Sequence, residues 1–242
     1  MIKFFLSTLI LLFILNTPSY SLENNKIRRE DSQNSQKNLP KKILLIGDSH
    51  TVGSYGKELD SLLRKNGDIV RIYGSSGSSP SWWITGKITK SGFYSKDENG
   101  KTYNPIDWKT PHETPILEKI IDEFKPNTII VSLGANLIRQ KKEYIKKEIE
   151  DLCEIISKKN IPLIWVGPPN GRSDKKKKSE QDFLYENIIE VVKKYGYFID
   201  SRPYTEYPDT LKGDGVHFFG EEGRKITKKW ANSVFDEIQK TN

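Results

Sequence analysis

The sequence predicts an α/β fold, with a parallel β-sheet covered by helices on both faces. Three observations point there. Short apolar, β-branched runs alternate with longer stretches of helical periodicity. From Pro40 to Asn242 about 200 residues are free of any long apolar span, enough for one domain with a substantial core. The residues best suited to chemistry fall just after the apolar runs, where open parallel sheets place their ligands.

The first predicted strand is Lys42–Ile46, which ends abruptly at Gly47-Asp48-Ser49. Tyr55–Lys65 follows with helical spacing, then a strand at Ile69–Tyr73 and a turn at Gly74–Ser79. Pro115–Phe124 is a helix, Thr128–Leu133 a strand and Lys142–Lys158 a helix. Pro162–Val166, Glu180–Tyr195, Tyr197–Asp200 and Glu222–Gln239 continue the alternation as strand, helix, strand and helix. Right-handed crossovers would bring every strand's carboxyl end to one edge. Ser49, the Gly74–Ser79 turn, Gly134-Ala135-Asn136 and Gly167-Pro168-Pro169 would meet there.

One stretch breaks the rhythm. Residues 80–111 form a long insertion dense in turn residues and rich in rings: Trp82, Trp83, Phe93, Tyr94, Tyr103 and Trp108. A segment this long with no predicted element of its own is usually functional or disordered, and the rings argue against disorder. Two roles stay open: a small core that packs the insertion down, or one wall of a substrate pocket with rings stacking on a sugar or acyl face.

The start of the chain reads as an address. Lys3 precedes an apolar run from Phe4 to Leu15, and Ser19-Tyr20-Ser21 supplies small residues for cleavage. The run is short for a bilayer span, which needs roughly 20 residues, so residues 1–21 are expected to be a secretory signal peptide. Residues 22–40 are polar and charged, a composition that favours a disordered linker. The expected location is periplasmic or extracellular, with membrane contact only through the signal peptide before cleavage.

Cys153 is the single cysteine, so an internal disulfide is impossible, and its helical, apolar setting marks a buried structural thiol. With three histidines besides, a Cys/His zinc cluster is excluded, and neither a metal nor an organic cofactor is expected. The formal net charge is +7. Lys175-Lys176-Lys177-Lys178 reads as a solvated loop, and the basic excess suits anionic envelope polymers. No nucleic-acid recognition module is visible, so no nucleic-acid partner is expected.

A serine hydroxyl needs a base within hydrogen-bond reach, and the base needs an orienting partner. Asp214-Gly215-Val216-His217 supplies both from one turn: His217 as the base for Ser49, Asp214 to hold its tautomer. His50 adjoins the serine, and His112 lies in the insertion beside Glu113; neither has a carboxylate so well spaced. An oxyanion would need fixed donors, for which the amide of Ser49, an amide in the glycine turn and the side chain of Asn136 are candidates.

Gly47-Asp48-Ser49, Gly77, Gly134-Ala135-Asn136 and Asp214-Gly215-Val216-His217 occur in the order of the four blocks of the SGNH (GDSL-type) hydrolases, which this chain resembles from residue 41 to about 225. The resemblance implies a three-layer α/β/α sandwich on a flavodoxin-like, five-stranded parallel sheet. It implies Ser49 as nucleophile, His217 as base and Asp214 as its partner. Ser49, Gly77 and Asn136 would form the oxyanion hole, with Gly74 three residues away in the same turn. Two departures bear on substrate: His50 follows the serine, and the aromatic insertion is long. Trp82, Trp83 and His50 are candidate substrate-binding residues. No Gly-x-Ser-x-Gly elbow is present, which disfavours the larger α/β-hydrolase class.

An exported chain with sugar-stacking rings and a basic surface is expected to remove O-acetyl groups from cell-wall or surface carbohydrate, or to act on another small ester. A lipase-like acyl esterase or thioesterase, and an O-acetyltransferase, would use the same three residues. A carbohydrate-binding module on an esterase fold is the non-enzymatic reading.

Overall fold

The computed structural model describes residues 40–103 and 110–241. The predicted signal peptide, nearly all of the linker and Trp108 lie outside the described residues.

Five parallel strands form the centre: β1 (Lys42–Gly47), β2 (Ile69–Ser75), β7 (Thr128–Ser132), β8 (Leu163–Val166) and β9 (Tyr197–Ile199). They lie side by side as β2-β1-β7-β8-β9, and every neighbouring pair is parallel. The full sheet has seven strands rather than the expected five. The insertion adds β4 (Phe93–Lys96) antiparallel to β2 and β5 (Thr102–Tyr103) beyond it. A bare β2 edge would offer unpaired amides and carbonyls; the added pair covers it. Lys96 and Arg64 both reach the buried Asp60, at 2.9 and 2.7 Å, and fasten this corner. A second small sheet pairs β3 (Ile88–Thr89) with β6 (His112–Glu113).

Alternation along β1 sorts side chains into two cores. Ile43 and Leu45 face α2 (Ser54–Lys65) and α7 (Gly220–Lys240), which contribute Leu59, Leu63, Trp230 and Val234. Leu44 and Ile46 face the opposite layer of α3 (Pro80–Thr85), α4 (Leu117–Phe124), α5 (Lys142–Lys158) and α6 (Lys178–Val192). On α5 the buried residues Ile145, Ile149, Leu152, Cys153 and Ile156 recur at helical spacing and make one stripe. Cys153 is fully buried, and burial pushes its thiol up to about 12. It is a packing residue. The layers are α/β/α.

Register fixes the working edge. Gly47 lies opposite Gly74 of β2 and Ser132 of β7, and Ser132 opposite Val166 of β8. The strands therefore stop together, and the segments that follow them emerge side by side. A four-residue helix, α1 (Ser49–Val52), sits directly on this edge. Gly74 is the packing glycine of the pair in question: a Cβ there would come within 2.7 Å of the Val52 amide nitrogen.

Candidate active site

The first site residue is placed by a helix start. Asp48 caps α1, its carboxylate accepting the His50 amide at 2.9 Å. Ser49 is thus the first residue of α1, where its own amide has no intrahelical acceptor. The second and third come from the loop before α7. Tyr207, Leu211 and Phe218 pack a small satellite core under that loop, and the Tyr207 hydroxyl donates to the His217 carbonyl at 3.2 Å. The Arg172 amide donates to the Gly215 carbonyl at 2.8 Å. These contacts hold the turn that carries Asp214 and His217.

His217 Nε2 lies 2.8 Å from Ser49 Oγ, and His217 Nδ1 lies 2.6 Å from Asp214 Oδ2. The other Asp214 oxygen accepts the amides of Val216 and His217, each at 2.8 Å. Burial alone would raise the Asp214 carboxyl; the His217 amide, the imidazole and the Val216 amide together bring it below the ordinary carboxylate range. A carboxylate kept ionised against Nδ1 leaves Nε2 to face the hydroxyl as an acceptor.

Gly77 turns in the left-handed region (φ 83°) on the exposed side of the β2 turn. Asn136 sits in a 3₁₀ turn after β7 and donates one Nδ2 hydrogen to the Ser78 carbonyl at 2.9 Å. That bond ties the third block to the glycine turn and leaves the second amide hydrogen for another acceptor. Ser49, His50, Gly77, Asn136, Asp214 and His217 all line one cleft of about 820 Å³.

Of the two roles left open for the insertion's rings, neither Trp82 nor Trp83 takes that of a pocket wall. Trp83 is fully buried in the core beneath α3, its indole N–H donating to Ser78 Oγ at 3.2 Å. Trp82, its neighbour on the same short helix, is half-buried and does not line the cleft. Adjacent residues on a helix leave in different directions, so two tryptophans in a row cannot share one face. Of the insertion, Lys90, Ser91 and Gly92 reach the cleft instead. Its rings come from Tyr55, Phe218 and Phe219, the last 53% exposed with its centroid 5.8 Å from that of His217. His112 packs on Phe93 within the insertion, with ring centroids 4.8 Å apart.

Behind His217 lies a buried polar cluster. His50 is 5% exposed, its ring 5.1 Å from His217 and edge-on to Trp230 at 5.7 Å. Burial, then the charges of Lys176 and His217, hold it well below the ordinary imidazole value, so it is neutral. Asp48 is pushed up to about 6 by burial, against the pull of the His50 amide and of Lys176. Lys176 corrects the reading of the lysine run as wholly solvated. It is buried, its Nζ donating to the Pro169 carbonyl at 3.2 Å, while Lys175, Lys177 and Lys178 are exposed. Burial lowers its ammonium to about 8, although Asp48 and Asp214 both favour the charge. Nothing in four consecutive lysines marks the second for burial; the contacts that select it come from the 169–171 turn.

No protein-family model matches this chain, and no curated relative does. Solved structures do. A family 3 carbohydrate esterase from Clostridium thermocellum superposes with a TM-score of 0.55 at 16% identity, over 84% of this chain and 98% of that one. A lipase/acylhydrolase from Enterococcus faecalis gives 0.52 at 19% identity, over 84% and 97%. A protein assigned to the SGNH hydrolases from Slackia heliotrinireducens gives 0.54 at 10% identity, over 83% and 100%. The fold of this chain is the SGNH hydrolase fold.

Proposed function

We propose that the chain is an exported serine esterase of the SGNH type that removes O-acetyl groups from carbohydrate. One observation carries the reaction class: the unbroken path from Asp214 through His217 to Ser49 Oγ, at 2.6 and 2.8 Å, opening onto a cleft. In this reading Ser49 Oγ attacks the ester carbonyl while His217 Nε2 takes its proton. Asp214 stabilises the imidazolium. The amides of Ser49 and Gly77 and the Asn136 Nδ2 receive the oxyanion, where each donor is worth on the order of 3 kcal/mol. The sugar hydroxyl leaves with the proton from His217. Water, deprotonated by the same nitrogen, then releases acetate from Ser49.

The carbohydrate substrate is supported by an exposed flat ring, Phe219, beside His217, and by the polar residues Ser76, Lys90 and Ser91 that line the same cleft. The carbohydrate esterase that shares the fold agrees with it. The leader-like start and the basic charge support export toward an anionic envelope. A lipase-like acyl esterase is the second reading, favoured by Val52, Phe218 and Phe219 on the cleft wall.

Hydrolysis of 4-nitrophenyl acetate by the wild type and by Ser49→Ala tests the reaction. The expected loss is at least about 10³-fold. Equally slow rates in both would sink the esterase and favour a carbohydrate-binding module. Comparing acetyl with long acyl esters separates the two esterase readings, and acetate release from O-acetylated polysaccharide tests the substrate directly.

A further inference from the structure

Six arginines fall among the described residues, and five hold carboxylates. Arg64 pairs with Asp60, Arg71 with Glu98 and Glu123, Arg139 with Glu180, Arg172 with Asp174, and Arg202 with Asp200 and Asp182. Arg224, on the second turn of α7, is the exception: exposed, without a carboxylate partner among the described residues, and lining the cleft that contains Ser49 and His217. Glu221, one turn before it, could have served at i, i+3 but is taken by Lys225 at 3.0 Å. From the insertion, Lys90 lines the same cleft, also exposed and without a carboxylate partner among the described residues. Among the described residues the single carboxylate on the cleft wall is Asp214, and its two oxygens are occupied by the His217 ring and two amides. The cleft therefore presents two cations that no carboxylate among the described residues neutralises.

We infer that the ester accepted here carries an oxyanion, a carboxylate or a phosphate, on the sugar that bears the acyl group, and that Arg224 and Lys90 receive it. The inference rests on the esterase reading above. A guanidinium without a carboxylate partner among the described residues presents the planar donor fork that carboxylate and phosphate accept. Clustered positive charge at a cleft also concentrates anionic substrate before contact.

Three esters test it: an acetylated methyl glucuronide, an acetylated methyl hexoside 6-phosphate and an acetylated methyl glucoside. The wild type should prefer one anionic ester over the neutral one by about tenfold in kcat/KM, mainly through KM, and which of the two is preferred identifies the oxyanion. In Arg224→Ala the anionic-to-neutral ratio should fall toward one, and further in Lys90→Ala/Arg224→Ala. Salt at 0.5 M should lower the wild-type ratio in the same direction. Equal wild-type rates on all three esters, or a ratio unmoved in Arg224→Ala, overturns the inference while leaving the esterase intact. Absence of Ser49-dependent turnover on every ester would sink the esterase reading instead. Titration of methyl glucuronide and methyl hexoside 6-phosphate into Ser49→Ala protein then decides the anion site alone. Binding that weakens in Ser49→Ala/Arg224→Ala sustains it, and no Arg224-dependent binding overturns it.

Discussion

His217 has two very different sides. In front, Ser49, Phe219 and the exposed edge of Asp214 meet solvent across the cleft. Behind, Asp48 and Lys176 are 2% and 4% exposed, with the neutral His50 ring packed among them. Opposite charges attract more strongly in such a place than in water, yet both groups titrate as though charge were unwelcome. Burial raises Asp48 to about 6 and lowers Lys176 to about 8. Desolvation outweighs their attraction, so carrying both charges behind His217 costs stability near neutral pH, whereas in front the Asp214 carboxyl lies below its ordinary range. Buried charges with that sign are commonly replaceable by apolar groups at no loss of stability. Asp48 also caps α1, the helix that begins at Ser49.

The strongest way to break this contrast is to remove the buried pair together. Asp48→Asn/Lys176→Met keeps a capping side chain at position 48 and a stem of similar length at 176. Urea unfolding at pH 7 should show unchanged or higher stability, by up to about 4 kcal/mol. Acetate-ester hydrolysis should fall about tenfold or more, because Lys176 no longer acts on Asp214 and His50. A double variant that unfolds more easily and keeps full activity would reverse the assignment and make the cluster a stabilising one.

The same groups predict opposite pH limbs. Asp48 holds its proton more tightly folded than unfolded. The stability it contributes is complete below its ordinary value of 3.8 and lost as pH rises to about 6, an amount up to about 3 kcal/mol. Lys176 runs the other way: its contribution is present above 10.5 and lost as pH falls through about 8. Between those windows both are charged and neither adds slope. Unfolding midpoints from pH 4 to 10 should therefore lose the acid limb in Asp48→Asn and the alkaline limb in Lys176→Met. Retention of both limbs in the variants would assign them to other groups.

Front and rear also differ in how far the sequence discloses them. Asp214 and His217 are legible because a carboxylate and an imidazole three residues apart can share one turn, and Ser49 because an apolar run ends at a short polar motif. All five parallel strands are legible for the same reason, with ends that shift by one or two residues, as at Ser75 and Leu163. The antiparallel β4 and β5 are not, since elements of four and two residues carry too little periodicity. Lys176 and its neighbours in the lysine run are chemically identical, so only tertiary packing separates the buried one. The tryptophans mislead in the opposite sense. Trp82-Trp83 looks like a binding wall, whereas one ring is core and the other half-buried. Phe219 escapes notice because a phenylalanine beside a catalytic-looking loop reads as ordinary packing.

Phe219 gives the smallest and most discriminating effect. Its ring lies against Gly213, where a Cβ would come within 2.8 Å of Phe219 Cδ2, and tilts 48° from the His217 ring. A half-exposed ring contributes little to the core, so Phe219→Ala should shift stability by no more than about 0.5 kcal/mol. A sugar ring laid on it would gain about 1 kcal/mol, which corresponds to about a fivefold rise in KM. The rise should be larger for an acetylated oligosaccharide than for 4-nitrophenyl acetate, and Phe219→Trp should restore it. Equal losses on both substrates, carried in kcat, would mean that the ring steadies His217 and touches no sugar. The front of the site would then be set by packing, as the rear is by charge.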